Sequence, residues 1–469
     1  MNLVSGVNKH PLLALILITI IPIAIIIRET LRQHMIGKYF DFSKELKKVR
    51  NKKNKRNLTS KVKTEPSTLI GFSNSKKPIY TPDNAKHIFI CGTTGSGKTV
   101  ALSNYIKSGI EKDYPLLIID GKGDTGQGSM IEIVKRFKGH KRLYVINLSS
   151  PLKSDRYNPF KNATPTIAKD MLINMTDWSE EHYKLNTERY LQRLINLMVM
   201  ANIPLSFQSI VSNMGIDKFT ALSRMLVKNE IITKAQHTQN LELAGTSGKI
   251  AESAIARFSL IAESELGYIF DETGIDIYTA LQEKAIILFI LNPLIYPETS
   301  PLIGRLLLID SKKAMSNMFM HNQTRTFFIM DEINSYASTT LIDLINKSRS
   351  ANITCILATQ SLSDLDFSVN EAFKEQIIEN CNNYIVMRQN SSINSEHWAN
   401  ILGTRNTLEV TYQLAQQNAV TSETGFGSAR RVREYYYHPD DIKTLKTGQA
   451  IYMSKDNNFH SRVNINKTV

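Results

Sequence analysis

Cysteine and tryptophan are scarce in this 469-residue chain, with three of the first and two of the second. Cys91, Cys355 and Cys381 lie far apart and form no C-x-x-C pair. That excludes a disulfide scaffold and a zinc module, and it fits a reducing compartment. Proline is missing between Pro204 and Pro293, so nothing in that stretch interrupts helices. Acids are short relative to bases, 43 against 57, which gives a net charge of +14 and a pI near 9.4. The excess is local: residues 28–63 hold thirteen Lys/Arg and three acids, so residues 64–469 carry only about +3. The high pI is therefore no evidence by itself for nucleic acid. With 42% hydrophobic residues, the chain is too apolar to be disordered or fibrous. Its length suits two or three domains.

Residues 11–27, PLLALILITIIPIAIII, carry no charge. Seventeen residues reach the low end of what spans a bilayer, and Pro22 is tolerated in a membrane helix. A secretory signal would need a small-residue cleavage site, whereas Arg28-Glu29 and the basic stretch follow at once. The positive-inside rule puts that stretch, and all that follows, in the cytoplasm of a single-pass membrane protein. The basic run 44–63 is suited to anionic lipid headgroups, with nucleic acid as the alternative partner.

A low-complexity segment, Asn57 to Pro78, leads into HIFICGTTGSGKTVALSNYI. Here Gly92, Thr93, Thr94, Gly95, Ser96, Gly97, Lys98 and Thr99 fit G-x-x-x-x-G-K-[ST] between an apolar strand and a helix. In such a P-loop, backbone N–H groups wrap the phosphates of ATP, Lys98 reaches the β/γ-phosphates and Thr99 holds Mg2+. A carboxylate at a strand end must complete the metal shell. The segment TFFIMDE supplies it, with Asp331 organising Mg2+ and Glu332 polarising the attacking water. A third strand, 353–359, ends at Gln360, a candidate to sense the γ-phosphate or to orient water. Arg349, eleven residues earlier, either pairs with a helix C-terminus or reaches a neighbouring subunit's nucleotide as an arginine finger.

LLIIDGKGDTGQG also contains G-x-G-x-x-G (Gly121, Gly123, Gly126). A dinucleotide fingerprint would place an acid at the end of the next strand, and Asn147 stands there instead. Strands expected at 87–91, 115–120, 143–148, 285–291, 326–330, 353–359 and 383–388 alternate with helical stretches. That pattern indicates an α/β fold with a mostly parallel sheet. Apolar spacing over residues 166–274 predicts an inserted all-α domain. The organisation read from the sequence is a membrane anchor at 1–30, a basic linker at 31–79, the all-α block at 166–274, and a discontinuous RecA-like P-loop domain at 80–165 and 275–469.

In order, GTTGSGKT, IIDGKGD, NPF (158–160), FIMDE and ILATQS resemble the VirD4/TraD/TraG-type coupling proteins of conjugation and type IV secretion, over roughly residues 80–460. SARRVREYYYHPDDIKTLKTGQAIYM is similar to that family's C-terminal segment. The resemblance implies that Lys98 and Thr99 are the P-loop pair, Asp331 and Glu332 the metal and catalytic acids, Gln360 the sensor, and Arg349 the arginine finger. Residues 120–124 match a family motif D-P-[KN]-G-[DE], with Gly121 in place of its proline. It further implies a homohexameric ATPase that delivers relaxase-linked single-stranded DNA to a type IV secretion channel. Two other readings stand beside it. One is an FtsK/HerA-like translocase of double-stranded DNA, although no winged-helix module fits after residue 453. The other is an ATP-switched receptor for protein effectors.

Overall fold

The computed structural model describes residues 21–31, 66–84, 87–321, 324–417 and 420–468. The chain divides into two compact units, Met1–Thr64 and Glu65–Val469. In the first, residues 21–31 form an exposed helix. Residues 11–20 of the apolar run and 32–63 of the basic run lie outside the described residues. Among the described residues, no helix is long and apolar enough to cross a membrane.

The second unit is built on an eleven-stranded sheet. Its strands are β1 (Ser67–Ser73), β2 (Pro78–Pro82), β3 (Ile88–Cys91), β4 (Leu116–Asp120), β5 (Leu143–Asn147), β6 (Ile286–Ile290), β7 (Thr326–Asp331), β8 (Ile353–Thr359) and β9 (Asn383–Val386), followed in the sheet by β12 (Gln449–Ser454) and β13 (Phe459–Ile465). A separate antiparallel ribbon consists of β10 (Thr404–Gln417) and β11 (Val420–Tyr435). The order across the sheet is β2-β1-β13-β12-β9-β3-β8-β7-β4-β6-β5. The run from β9 to β5 is parallel, and β12, β13, β1 and β2 extend it antiparallel along one edge.

The central strands are apolar throughout because both faces are covered. Every residue of β3, β4, β6, β7 and β8 is buried. Alternate side chains feed two cores. Ile88, Ile90, Leu116 and Ile118 pack with Leu102, Tyr105 and Ile106 of α1 (Lys98–Glu111) and with Ile133 and Val134 of α2 (Met130–Phe137). Phe89, Cys91, Leu117 and Ile119 belong to the larger core on the opposite face. That core reaches into seven helices between β5 and β6: α3 (Pro165–Asn174), α4 (Glu181–Met200), α5 (Phe207–Asn213), α6 (Ile216–Lys228), α7 (Lys234–Leu243), α8 (Lys249–Ala262) and α9 (Ile277–Gln282). It also takes in α10 (Thr299–His321) and α11 (Thr339–Ser348).

The seven expected strands are present as β3 to β9. One sequence expectation needs correcting. The stretch 31–79 reads as linker, yet it contains the sheet strand Ser67–Ser73 and the first two residues of Pro78–Pro82. Each has few residues turned inward, Ile70 and Ile79 among them, and Ser, Thr and Lys around them mask the signal. Their stability comes from tertiary pairing with β13 and with each other.

Candidate functional site

Ligand crevices in open parallel sheets form at the carboxyl ends of strands where the chain order reverses. Here β3 enters the P-loop, β8 lies beside it and β7 lies beyond β8. Cys91 is in register with Thr359, so the residue after β8 falls between the P-loop and the β7 acids.

The P-loop closes tightly. The Gly92 and Thr93 N–H groups donate to the carbonyls of Thr359 and Arg388 (3.3 and 3.0 Å), and Ser96 N–H donates to Thr93 O (3.1 Å). Gly95 and Gly97 have φ values of +73° and +111°, the left-handed region that glycine enters without strain. Gly97 begins α1 with no side-chain cap, so the first N–H groups of the helix stay open toward an anion. Thr99, half-buried, is the second residue of that helix.

Lys98 is buried and donates to Gly92 O (2.8 Å), while its Nζ stands 3.5 Å from Glu332 Oε1. Gln360 Nε2 donates to the same Oε1 (3.3 Å), and Thr94 Oγ1 donates to Gln360 Oε1 (3.1 Å). P-loop, sensor position and acid thus form one chain of contacts. Glu332 has φ +48°, a left-handed conformation costing about 1–2 kcal/mol for a side-chain-bearing residue. Its Oε2 is buried without a hydrogen-bond partner. A strained, half-satisfied carboxylate facing a P-loop lysine is suited to a water or a metal-shell ligand.

Asp331 ends β7 in register with Asp120 at the end of β4. Burial, helped by Glu332 and Asp120, pushes the Asp331 carboxyl up to about 7. Burial likewise raises Asp120 to about 6, against the pull of the Lys122 and Gly123 N–H groups. Two buried carboxyls side by side fit a divalent cation, which would replace the missing positive charge. Sequence reasoning placed Asp120 in a motif but not in the site, because its neighbour depends on β4 pairing with β7.

Gly121 explains how the loop after β4 lies so close. A Cβ there would stand 2.5 Å from Ser335 Oγ and 2.9 Å from the carbonyl oxygens of Asp331 and Glu332. Glycine in place of the motif's proline lets this loop press against the acidic turn. Two further groups escaped sequence reasoning. Tyr336 OH donates to Asp331 O (3.1 Å). The turn before β12 grips the P-loop from the other side, with Gly448 N–H on Ser96 O (2.9 Å) and Thr447 Oγ1 on Gly95 O (3.3 Å).

Arg349 is not brought to this cluster. It is exposed and caps the C-terminus of α11, four residues before β8 begins. Gln360 follows the other end of that strand, and seven residues of strand separate the two by about 20 Å.

Several known proteins share this architecture. The bacterial conjugative coupling protein TrwB, in its unbound form lacking an N-terminal segment, superposes with a TM-score of 0.61 at 15% identity, covering 86% of this chain and 90% of that one. TrwB in complex with ADP and Mg2+ gives 0.59 at 15% identity, over 83% and 88%. VirB4 of Thermoanaerobacter pseudethanolicus gives 0.52 at 11% identity, over 85% and 96%. An uncharacterized protein of Mycoplasma pneumoniae is 30% identical over 101 residues, which is 22% of this chain and 67% of that protein. Residues 73–466 match the family described as the type IV secretion-system coupling protein DNA-binding domain. The match spans most of the chain, the fold is that of TrwB, and the chain belongs to the type IV secretion coupling proteins.

Proposed function

We propose that this protein is a membrane-anchored ATPase that uses Mg2+-dependent ATP hydrolysis to move DNA, delivered as a relaxase-linked single strand, into a type IV secretion channel. The observation that carries the reading is the contact chain Thr94–Gln360–Glu332–Lys98, which joins the P-loop to a buried carboxylate with an open oxygen. The donor set fits the nucleotide and its metal: open N–H groups at the start of α1, one buried lysine and two adjoining buried acids. TrwB has been seen with ADP and Mg2+, which supports the same ligands here.

In this reading the P-loop amides and Lys98 hold the phosphates, and Thr99 and Asp331 hold the Mg2+ shell. The bound cation supplies charge neutralisation at the transferring phosphoryl group. Glu332 orients and polarises the attacking water from its unpartnered Oε2. Gln360, bonded to Glu332 on one side and Thr94 on the other, relays whether the γ-phosphate position is filled. Arg349 stands far from its own P-loop, and in this reading it serves the nucleotide of the next subunit in a homohexameric ring. The helical block at 166–274 is an all-α domain inserted into the ATPase fold and packed on its larger core. The apolar run 11–27 anchors the chain in the inner membrane, with the ATPase in the cytoplasm, and the basic run meets anionic lipid.

The family's description as a DNA-binding domain supports DNA as cargo over protein alone. The test is ATPase rate with and without single-stranded DNA, with duplex DNA and Lys98→Ala as controls. Stimulation by single strands supports the reading. Stimulation by duplex alone would favour a double-stranded DNA translocase, and indifference to both would favour a receptor for protein effectors.

A further inference from the structure

The end of the sheet away from the P-loop holds a buried histidine that the nucleotide site does not use. His87 immediately precedes β3, with φ +32°, and its carbonyl accepts from Asn383 N–H of β9 (3.3 Å). The Cys355 N–H of β8 donates to its Nδ1 (3.1 Å), which fixes the proton on Nε2. Nε2–H then donates to Ile345 O (2.9 Å), one of the last-turn carbonyls of α11. Ser348 Oγ donates to the same carbonyl (2.9 Å) and lies 3.3 Å from Nε2. Burial pushes the imidazole down to about 4, with Arg349 acting in the same direction, so the ring is neutral at physiological pH.

These bonds join three elements at one point. The first is the base of β3, which runs into the P-loop at Gly92. The second is the start of β8, which runs to Gln360. The third is the final turn of α11, capped by Arg349. We propose that His87 is a positioning residue for Arg349: its Nε2–H clamps the last turn of α11 to the base of the P-loop strand, which sets where the guanidinium is presented to a neighbouring subunit. The proposal rests on the reading of Arg349 as a group acting across the subunit boundary. It links the two half-sites of one chain, because the strand that carries the P-loop also sets the arginine lent to the neighbour.

The experiment mixes two full-length proteins, each inactive alone. Lys98→Ala can lend only its arginine, and Arg349→Ala can lend only its P-loop, so mixed rings recover hydrolysis. His87→Asn is then introduced into one partner or the other. Asparagine keeps an acceptor near the Nδ1 position for Cys355 N–H but does not reach Ile345, whereas glutamine sets an amide N–H near the Nε2 position. Misplacement of a catalytic group by about 1 Å costs up to roughly 10²-fold. His87→Asn in the arginine-lending partner is therefore expected to cut recovered activity by about tenfold or more. In the P-loop-lending partner it is expected to leave activity within about twofold, and His87→Gln in the arginine-lending partner is expected to restore most of the loss. Ser348→Ala, a milder change at the same carbonyl, is expected to show the same asymmetry if His87→Asn does not fold. Equal losses in both placements, or none in either, overturn the proposal. If the mixture with His87 intact recovers nothing, the reading of Arg349 itself has failed, and that is seen before His87 is changed.

Discussion

The two ends of β8 are built differently. Beyond its carboxyl end, Gln360, Glu332, Lys98 and Thr94 touch one another, and two buried carboxyls, Asp331 and Asp120, stand side by side. Before its amino end, a neutral histidine braces a helix whose capping arginine faces solvent. The first end has one buried lysine close to Glu332 and two acids held high in pKa by burial, so it is short of positive charge. The second presents an exposed cation, Arg349, with no ion pair to an acid among the described residues. The contrast teaches that the two ends of one strand are chemically unlike, and under the proposed function substitutions at the two ends have to fail in different ways.

The largest effect is expected at the carboxyl end. Lys98→Ala removes the one buried cation of the P-loop, so ATP hydrolysis should fall to background while the melting temperature stays near wild type. Wild-type hydrolysis in that variant would break the nucleotide-site reading. Glu332→Gln keeps the shape but weakens polarisation of the water, and should slow turnover by about 10²-fold or more while ATP binding is retained. Loss of ATP binding instead would move Glu332 out of the catalytic role.

Two smaller effects sharpen the comparison without touching the phosphate-binding loop. Gly121→Ala forces a Cβ against the Asp331–Glu332 backbone and should cost about 1–3 kcal/mol of stability, measured by denaturant unfolding. An unchanged midpoint would show that the loop moves away freely. The acids also make a pH prediction. Asp331 and Asp120 have folded values raised to about 7 and about 6, above those of an unfolded chain, so the fold binds their protons more tightly. The contribution is present at low pH and is lost as pH rises from the ordinary aspartate range through about 7. Nucleotide-free protein should therefore melt lower at pH 8 than at pH 6, and Asp331→Asn should flatten that difference. A variant with the wild-type slope would assign the dependence to other groups.

Much of this was legible because burial on both faces leaves a plain mark. IFIC, LLIID, IILFI, TFFIMD and ITCILAT are continuous apolar runs, and each is a central strand. Lys98 was readable from the P-loop motif before α1, and Asp331, Glu332 and Gln360 from their places at strand ends. Strand order was not readable, and the sequence-distant neighbours depend on it: Asp120 beside Asp331, and His87 beside Ile345. The antiparallel edge was hidden for another reason. Only a few residues of β1 and β2 turn inward, so their composition looks like linker. The β10–β11 ribbon was legible in part, since Leu408, Val410, Tyr412 and Leu414 alternate with Glu409, Thr411 and Gln413.

The central claim is that each nucleotide site is completed by the neighbouring subunit's Arg349. Arginine fingers contribute roughly 10³–10⁵ in rate where they act, so Arg349→Ala alone should lose nearly all DNA-stimulated hydrolysis while still binding ATP. The most direct measurement is the ATPase rate of Arg349→Ala mixed with Lys98→Ala over a range of ratios, with co-assembly verified. The account predicts that activity returns in the mixture and peaks near equal amounts, since only interfaces pairing an intact P-loop with an intact arginine can turn over. No recovery in co-assembled rings, or wild-type hydrolysis by Arg349→Ala alone, would contradict it.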